Sequence, residues 1–383
     1  MAVTASCTSS FDDSGLPGGF PWAFALAVLL VGSVEMVFRH AAPTSVIPYA
    51  LGEAEYHAIA GYIDALGPAD VAFIGSSRTR EAIVAPQVRS RCEQELHTTV
   101  TVANYSCGGA RADECDAIVK YALKKGTPRM ILYGVAPRQL QGKFAYQERI
   151  ALLWDLGDWW SEYRQDVDHV GDLLPIVIRN EIGRYYRTLK YRRKASTWFT
   201  TRLDTVTMLN DPAHVLTNLF RQGAGPCPVR GEITRWHRWR TRRLSSRPFS
   251  EDKIRQFVDR FVLEDRQYRI EPQRVEHMEA MMRRGREAGT KLVFFELPHP
   301  DIFTKHLPPD SQRSFLSKMH ELADAGGAAF VTLDDLGLEF TPADFAEFAH
   351  LHYDGAGRLT AALVDRVILP HLRQPTRHAS ATR

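Results

Sequence analysis

Cysteine is scarce in this chain of 383 residues, and the cysteines present form no metal-binding pattern. They include no C-x-x-C pair, and no histidine lies near them at zinc-ligand spacing. Their number is odd, which argues against a disulfide framework. The five are Cys7, Cys92, Cys107, Cys115 and Cys227. Cys107 and Cys115 could bridge in an exported domain, but we favour small buried hydrophobic side chains. We therefore expect no structural metal.

An excess of charge of one sign is missing as well. The chain has 48 Lys plus Arg against 45 Asp plus Glu, and its net charge of +3 is too small to indicate a nucleic-acid partner. No G-x-G-x-x-G or Walker-type loop follows any predicted strand, so a nucleotide-binding protein fits poorly. We expect neither a nucleic-acid partner nor a cofactor.

Long apolar runs are limited to one near the N terminus. Residues 20–38 contain a single charge, Glu35, and their length and composition indicate one membrane span. A cleaved signal peptide and a buried core helix are the alternatives, but residues 1–19 carry no basic side chain, which argues against a signal peptide. We expect a single-pass membrane protein with its folded domain on the extracytoplasmic side. Arg39, directly after the span, favours the opposite orientation by the positive-inside rule.

Segments of strand length alternate with helical patterns in two parts of the chain. The predicted strands are residues 70–74, 98–103, 129–134, 291–297 and 329–333. The predicted helices are a segment from Ser76 through Leu96 and residues 112–125, 271–288, 310–325 and 356–372. This alternation predicts an α/β fold whose mostly parallel sheet is covered by helices on both faces.

The alternation is interrupted in the middle of the chain. Residues 45–140 and 269–373 are expected to form the α/β domain, and residues 141–268 a helical insertion or lid, because this stretch has no convincing strand and carries six of the seven tryptophans. Polar termini, residues 1–19 and 374–383, are expected to be disordered.

The loop after the first predicted strand, Gly75-Ser76-Ser77-Arg78, is a favourable place for a nucleophile. Ligands of parallel sheets bind at the carboxyl ends of the strands. A serine between a strand and a helix has its backbone N–H at the positive helix end, where an oxyanion is stabilised. The alternative is that Ser76 or Ser77 only caps the following helix.

A histidine and a carboxylate stand together before the last predicted helix, in Glu347-x-x-His350. A serine becomes a strong nucleophile when a base removes its proton, and a carboxylate orients that base. The alternative is a surface glutamate and a packed histidine.

Together these segments resemble the SGNH/GDSL hydrolase superfamily, and in particular its membrane-anchored members related to alginate O-acetyltransferases. The resemblance covers residues 69–140 and 271–372. It implies a flavodoxin-like three-layer sandwich in which Ser77 is the nucleophile, His350 the base and Glu347 the orienting acid.

The resemblance also implies an oxyanion hole, to which Gly108 or Gly109 contributes its backbone N–H. The third block of the family carries an asparagine donor, but here the loop reads Gly134-Val-Ala-Pro-Arg138. Either Arg138 or Asn104 substitutes, or one donor is lost.

The closing acid is Glu where the family has Asp, so Asp344 or Asp354 could serve in its place. The implied substrate is a polysaccharide or a small acyl ester, with a membrane-bound protein as acyl donor and no metal or other cofactor. The function that follows is a serine esterase or O-acyltransferase, and the alternative is a non-catalytic relative that binds carbohydrate or partners of an export machine.

Two further features are open to two interpretations. Tryptophans such as Trp154, Trp159 and Trp160 could stack on sugars, and the basic runs 184–194 and 235–243 could meet an anionic polymer or lipid headgroups. We favour the simpler interpretation, in which the tryptophans pack the insertion and the basic side chains are solvated. His299, between two prolines, is expected to line the pocket wall.

Overall fold

The computed structural model describes five main stretches of the chain together with isolated residues outside them. The stretches are residues 67–141, 148–164, 167–185, 267–346 and 350–374. The isolated residues are 29–30, 32–33, 56, 59–60, 63–64, 252, 255–256 and 258–259.

A five-stranded, all-parallel sheet forms the centre of the described part. Its strands are β1 (Val71–Gly75), β2 (Val102–Asn104), β3 (Met130–Val135), β4 (Lys291–Glu296) and β5 (Ala329–Val331). Their spatial order is β2-β1-β3-β4-β5, and every neighbouring pair is parallel. The α/β fold predicted from the sequence is therefore confirmed.

Helices connect the strands. They are α1 (Ser77–Ala82), α2 (Ala85–Leu96), α3 (Ala112–Lys125), α4 (Leu156–Tyr163), α5 (Val167–Val170), α6 (Leu174–Tyr185), α7 (Pro272–Glu287), α8 (Asp301–Thr304), α9 (Ser311–Gly326), α10 (Tyr353–Leu363) and α11 (Leu369–Leu372). Short 3-10 turns cover Pro137–Leu140, Glu148–Leu152, Gly171–Leu173 and Pro342–Asp344, and a π-helical turn, Val364–Ile368, joins α10 to α11.

The two faces of the sheet are covered by different helices. On one face, Val71 and Phe73 of β1 pack with α2 and α10, and we name this layer the α10 face. On the other, Ala72 and Ile74 pack with α3, α7 and α9. Because side chains alternate along a strand, consecutive residues of β1 serve opposite layers. The buried apolar runs of the central strands thus reflect a sheet covered on both sides.

The stretch between β3 and α7 leaves and rejoins the sheet domain at one place. Gln141 and Ile270 form an isolated antiparallel bridge, and the backbone N–H of Glu271 donates to the carbonyl of Leu140 over 2.7 Å. Further along, α4 docks on α3 through ion pairs, with Lys124 Nζ 2.6 Å from carboxylate oxygens of Asp155 and Asp158.

Three tryptophans of this stretch have different environments. Trp154 is buried, and Trp159 donates its indole N–H to the carbonyl of Val170 over 3.0 Å. Trp160 is 52% exposed and stacks on Tyr163. Packing accounts for the first two, whereas Trp160 has an exposed face.

The predicted membrane span falls mostly outside the described residues. Of residues 20–38, only 29–30 and 32–33 are described, and they are helical. No helix in the described part of the chain is long and apolar enough to cross a membrane. The basic run 235–243 also lies outside the described residues.

Candidate active site

The turn from β1 into α1 is so tight that only glycine fits at its first position. Gly75 has φ +144°, and a Cβ built on it would lie 2.1 Å from Thr79 Oγ1. Thr79 fills the space between Gly75 and Gly134 and donates its hydroxyl to the Gly134 carbonyl over 3.2 Å. The two adjacent strands and α1 are therefore joined directly beneath residue 77.

Ser76 caps α1 and so leaves the hydroxyl of Ser77 for another role. Ser76 has extended backbone angles and its Oγ accepts from the backbone N–H of Arg78 over 3.3 Å. It also accepts from Gln139 Nε2 over 3.2 Å. The capping alternative thus applies to Ser76 and not to Ser77.

The structure brings Ser77 and His350 together, although 273 positions separate them in the sequence. His350 Nε2 lies 2.9 Å from Ser77 Oγ, within hydrogen-bond distance. Ser77 is the first residue of α1, and its side chain is partly exposed. This is the geometry that a general base requires to remove the serine proton.

A loop closed by backbone hydrogen bonds holds His350. Phe345 and Leu351 form an antiparallel bridge, the N–H of Ala346 donates to the His350 carbonyl over 2.8 Å, and the N–H of His352 donates to the Asp344 carbonyl over 2.6 Å. Phe345 and Leu351 are both buried in the α10 face. The described residues on both sides of positions 347–349 are therefore fixed to the core.

Neither of the two described alternatives for the third member of a triad bonds His350. Asp344 Oδ2 accepts from the N–H and hydroxyl of Thr341, and its Oδ1 accepts from Arg358 over 2.9 Å. The carboxylate of Asp354 lies 3.5 Å from His352 Nδ1 and is 73% exposed. The predicted acid, Glu347, lies outside the described residues.

The segment after β2 runs beside the turn that carries Ser77. The N–H of Cys107 donates to the Gly75 carbonyl over 2.9 Å, so Gly108 and Gly109 follow directly after a contact with the end of β1. Gly109 has φ +72°, a left-handed conformation that glycine adopts without strain. Both glycines thus directly follow a residue that is bonded to the turn before Ser77, where an oxyanion would form.

Asn104 has a structural position in the same segment. Its Nδ2 donates to the Arg80 carbonyl over 3.2 Å, and its Oδ1 accepts the N–H of Ser106 over 3.1 Å. These bonds join the β2 loop to α1. They give Asn104 a role in positioning the turn. Its oxyanion role, one of the alternatives offered by the sequence, stays a prediction.

Positive charge and a neutral histidine lie beside Ser77. Arg78 donates to the Pro298 carbonyl and to His299 Nε2. Burial and the neighbouring Arg138 lower the pKa of Arg78 to about 9, and Glu296 opposes this shift. Burial and then the Arg78 cation hold the pKa of His299 well below its usual value.

The tautomer of His299 follows from its contact with Arg78. A guanidinium only donates, so Nε2 of the neutral ring accepts and Nδ1 carries the hydrogen. The ring stacks on Phe303 with centroids 4.8 Å apart. His299 therefore joins the loop after β4 to Arg78, the residue that follows Ser77, a contact that the pocket-wall position expected from the sequence did not include.

Gln139 is a site residue that the sequence did not reveal. It is buried in the 3-10 turn after β3, and its Oε1 accepts the N–H of Ala136 over 3.0 Å while its Nε2 donates to Ser76. The sequence contains only a weak indication of this role. A glutamine three residues after Ala136 can return to that backbone only if a tight turn intervenes, and Pro137 starts one.

The chain matches no protein-family model and no curated protein sequence. In the described residues, no group of three or more His, Cys, Asp or Glu side chains could hold a metal ion. The geometry of Ser77 and His350 is thus the main basis for a functional conclusion.

Proposed function

We propose that this protein is a serine esterase or O-acyltransferase of the SGNH type. The observation that carries the proposal is the 2.9 Å contact between Ser77 Oγ and His350 Nε2 at the carboxyl edge of a parallel sheet. Ligands of such sheets bind at this edge, so the pair lies where a substrate would enter.

The mechanism follows from the roles of the two side chains. Ser77 Oγ attacks the ester carbonyl while His350 Nε2 takes its proton, and His350 then returns that proton to the leaving alcohol. Water completes hydrolysis of the acyl-enzyme, or a sugar hydroxyl accepts the acyl group. Glu347 is the proposed partner that orients His350.

The oxyanion that forms at the carbonyl needs donors. The N–H of Ser77 lies in the first turn of α1, at the positive end of the helix. The N–H of Gly108 or Gly109 is the proposed second donor, because the loop that carries them is bonded to Gly75. Arg138 adds positive charge nearby, although its loop lacks the asparagine of the family.

The finer description of the fold is part of the same proposal. The strand order β2-β1-β3-β4-β5 is that of flavodoxin-like sheets, and helices cover both faces, which supports a three-layer sandwich. Residues 141–268 are the proposed insertion or lid.

The surroundings of the enzyme are proposed from the sequence alone. We infer an anchor at residues 20–38, a catalytic domain on the extracytoplasmic side, acyl esters of cell-envelope or exported polysaccharide as substrates, and a membrane-bound protein as acyl donor. The apolar run supports the anchor, and the resemblance to anchored polysaccharide O-acetyltransferases supports the substrate.

A fluorophosphonate probe tests the proposed chemistry. The full chain in detergent micelles is incubated with the probe, the adduct is located by mass spectrometry, and hydrolysis of p-nitrophenyl acetate is measured in parallel. We expect an adduct on Ser77, and a loss of hydrolysis of roughly 10⁴-fold in Ser77→Ala and in His350→Ala.

A matched histidine provides the control. His352→Asn changes a histidine two positions away and keeps a residue suited to cap α10, so we expect it to retain labelling. An absence of labelling and hydrolysis in the folded wild-type chain would refute the proposed activity. It would favour a non-catalytic protein that binds carbohydrate or partners of an export machine, which the missing asparagine of the β3 loop already suggests.

A further inference from the structure

A buried serine hydroxyl next to the nucleophile turn has no evident structural use. Ser106 is 5% exposed, and its Oγ is shielded from solvent without a hydrogen-bond partner in the described part of the chain. Buried hydroxyls in folded proteins are nearly always paired, so an unpaired one calls for an explanation.

The alternation of side chains places Ser106 on the α10 face. The N–H groups of Tyr105 and Cys107 bond the carbonyls of Phe73 and Gly75, so this segment continues beside β1. Tyr105 and Cys107 pack into the opposite layer. Ser106, between them, therefore points toward the layer that contains α1 and the loop of His350.

Along the direction of the strands, Ser106 lies at the height of the turn that carries Ser77. Asn104, two residues earlier on the same face, reaches the carbonyl of Arg80 in α1. Ser106 lies one step nearer the carboxyl edge, where α1 begins at Ser77.

The neighbouring polar side chains already donate elsewhere. Gln139 Nε2 bonds Ser76, Thr79 Oγ1 bonds the Gly134 carbonyl, and Asn104 Nδ2 bonds the Arg80 carbonyl. Among these four described side chains, the Ser106 hydroxyl is the one that donates no hydrogen bond.

We propose that the Ser106 hydroxyl donates a hydrogen bond to the oxyanion that forms when Ser77 attacks an ester. This inference rests on the proposed function. The hydroxyl hydrogen is aimed by rotation about the Cβ–Oγ bond, and no proton is transferred to the oxyanion. Such a donor stabilises the negative charge that develops on one oxygen of the substrate. It therefore fits substrates that are attacked at a carbonyl group.

The proposal predicts opposite effects of one substitution on activity and stability. In Ser106→Ala, kcat for p-nitrophenyl acetate should fall about 100-fold with little change in KM, because the lost bond exists only in the transition state. The melting temperature of the full chain should stay the same or rise, because an unpaired buried hydroxyl is removed. Ser106→Thr, which keeps the hydroxyl, should recover most of the activity.

Ser311→Ala is the matched control. Ser311 is 2% exposed, and its Oγ is likewise unpaired in the described residues, but it lies in the first turn of α9 in the opposite layer. We expect this variant to retain wild-type kcat. If Ser106→Ala does not fold, Ser106→Cys, with a similar volume and a weak donor, provides the same comparison.

The outcomes separate this inference from the proposed function. An active wild type with an equally active Ser106→Ala variant would overturn the role of Ser106 and leave the esterase proposal standing. A fall in kcat that Ser106→Thr does not recover, or that Ser311→Ala shares, would also overturn it. A wild-type chain that neither labels nor hydrolyses esters overturns both.

Discussion

The two halves of the candidate active site are built differently. Around Ser77, a glycine that excludes any side chain, the hydroxyl of Thr79 and the amide of Gln139 join α1 to β3 and its loop. Around His350, the chain is held by backbone bonds and by the buried carboxylate of Asp344, which pairs with the half-exposed Arg358. The side chain of Ser77 is thus positioned by the buried centre of the sheet, and His350 by contacts at its edge, where one ion-pair partner is half exposed.

This difference indicates how each half should respond to change. Substitutions beneath Ser77 disturb close-packed groups and should reduce stability together with activity. Substitutions around His350 affect contacts close to solvent, which are individually weak, and should reduce activity more than stability. The following variants test that contrast.

Gly75→Ala should have the largest effect. A Cβ would collide with Thr79 at a backbone angle that alanine rarely adopts, so we expect a loss of roughly 3 kcal/mol or more in the free energy of unfolding. Urea denaturation of the full chain measures it. Gly357→Ala, in the middle of α10 with only ordinary contacts nearby, should be neutral or slightly stabilising. Equal midpoints for Gly75→Ala and wild type would contradict the tight-turn argument.

Gln139→Leu should rank second. It leaves the buried N–H of Ala136 without its acceptor and removes a bond to Ser76, so we expect a loss of about 2 kcal/mol and a slower reaction with the fluorophosphonate probe. Circular dichroism melts and probe labelling rates measure the two effects. Stability at the wild-type level would show that the nucleophile turn does not depend on the β3 loop.

Asp344→Asn should separate activity from stability. The change weakens the bonds from Thr341 and Arg358 while the backbone contact to His352 remains, so we expect about 1 kcal/mol lower stability and roughly tenfold lower kcat. Arg358→Gln is the control for the exposed ion pair and should cost at most about 1 kcal/mol. The contrast between the two halves fails if Asp344→Asn loses more stability than Gln139→Leu.

His299→Asn should have the smallest effect, visible in the pH dependence of stability. Burial and Arg78 keep the pKa of His299 below its unfolded value, so between about pH 6.5 and the folded pKa the unfolded chain binds a proton that the folded chain does not. Stability therefore falls as the pH is lowered through that window. The variant should show a slope smaller by up to one proton, measured by denaturation from pH 7.5 to 5. Identical slopes would contradict the assignment.

The parallel sheet followed from the sequence because its strands are short apolar runs that alternate with helical patterns. The helix predicted from Ser76 through Leu96 is divided in the structure, since α1 ends at Ala82, and α2 starts at Ala85 with Pro86 in its first turn. Proline restricts the residue before it, but the pattern alone did not show a complete break. The strand predicted at residues 98–103 is shorter in the structure and is shifted toward the C terminus, to Val102–Asn104.

Part of the candidate site could also be predicted from the sequence, for a related reason. Ser77 and His350 stand next to element boundaries, where sequence patterns are informative, and topology brings those boundaries to one edge. The partners that hold them depend on side-chain directions that no local pattern contains. Asn104 and Ser106 lie two residues apart on the same face. The amide of Asn104 bonds the backbone of α1, whereas the hydroxyl of Ser106 has no partner in the described part of the chain.

The order of the strands has a consequence for synthesis. β1, β2 and β3 leave the ribosome first, but the outer partner of β3 is β4, which begins only at Lys291. The nascent chain therefore presents the open edge of β3 while the whole stretch from Gln141 to Ile270 is made. An open strand edge is a template for wrong pairing, so the growing chain is most exposed to aggregation before β4 docks and His350 reaches Ser77.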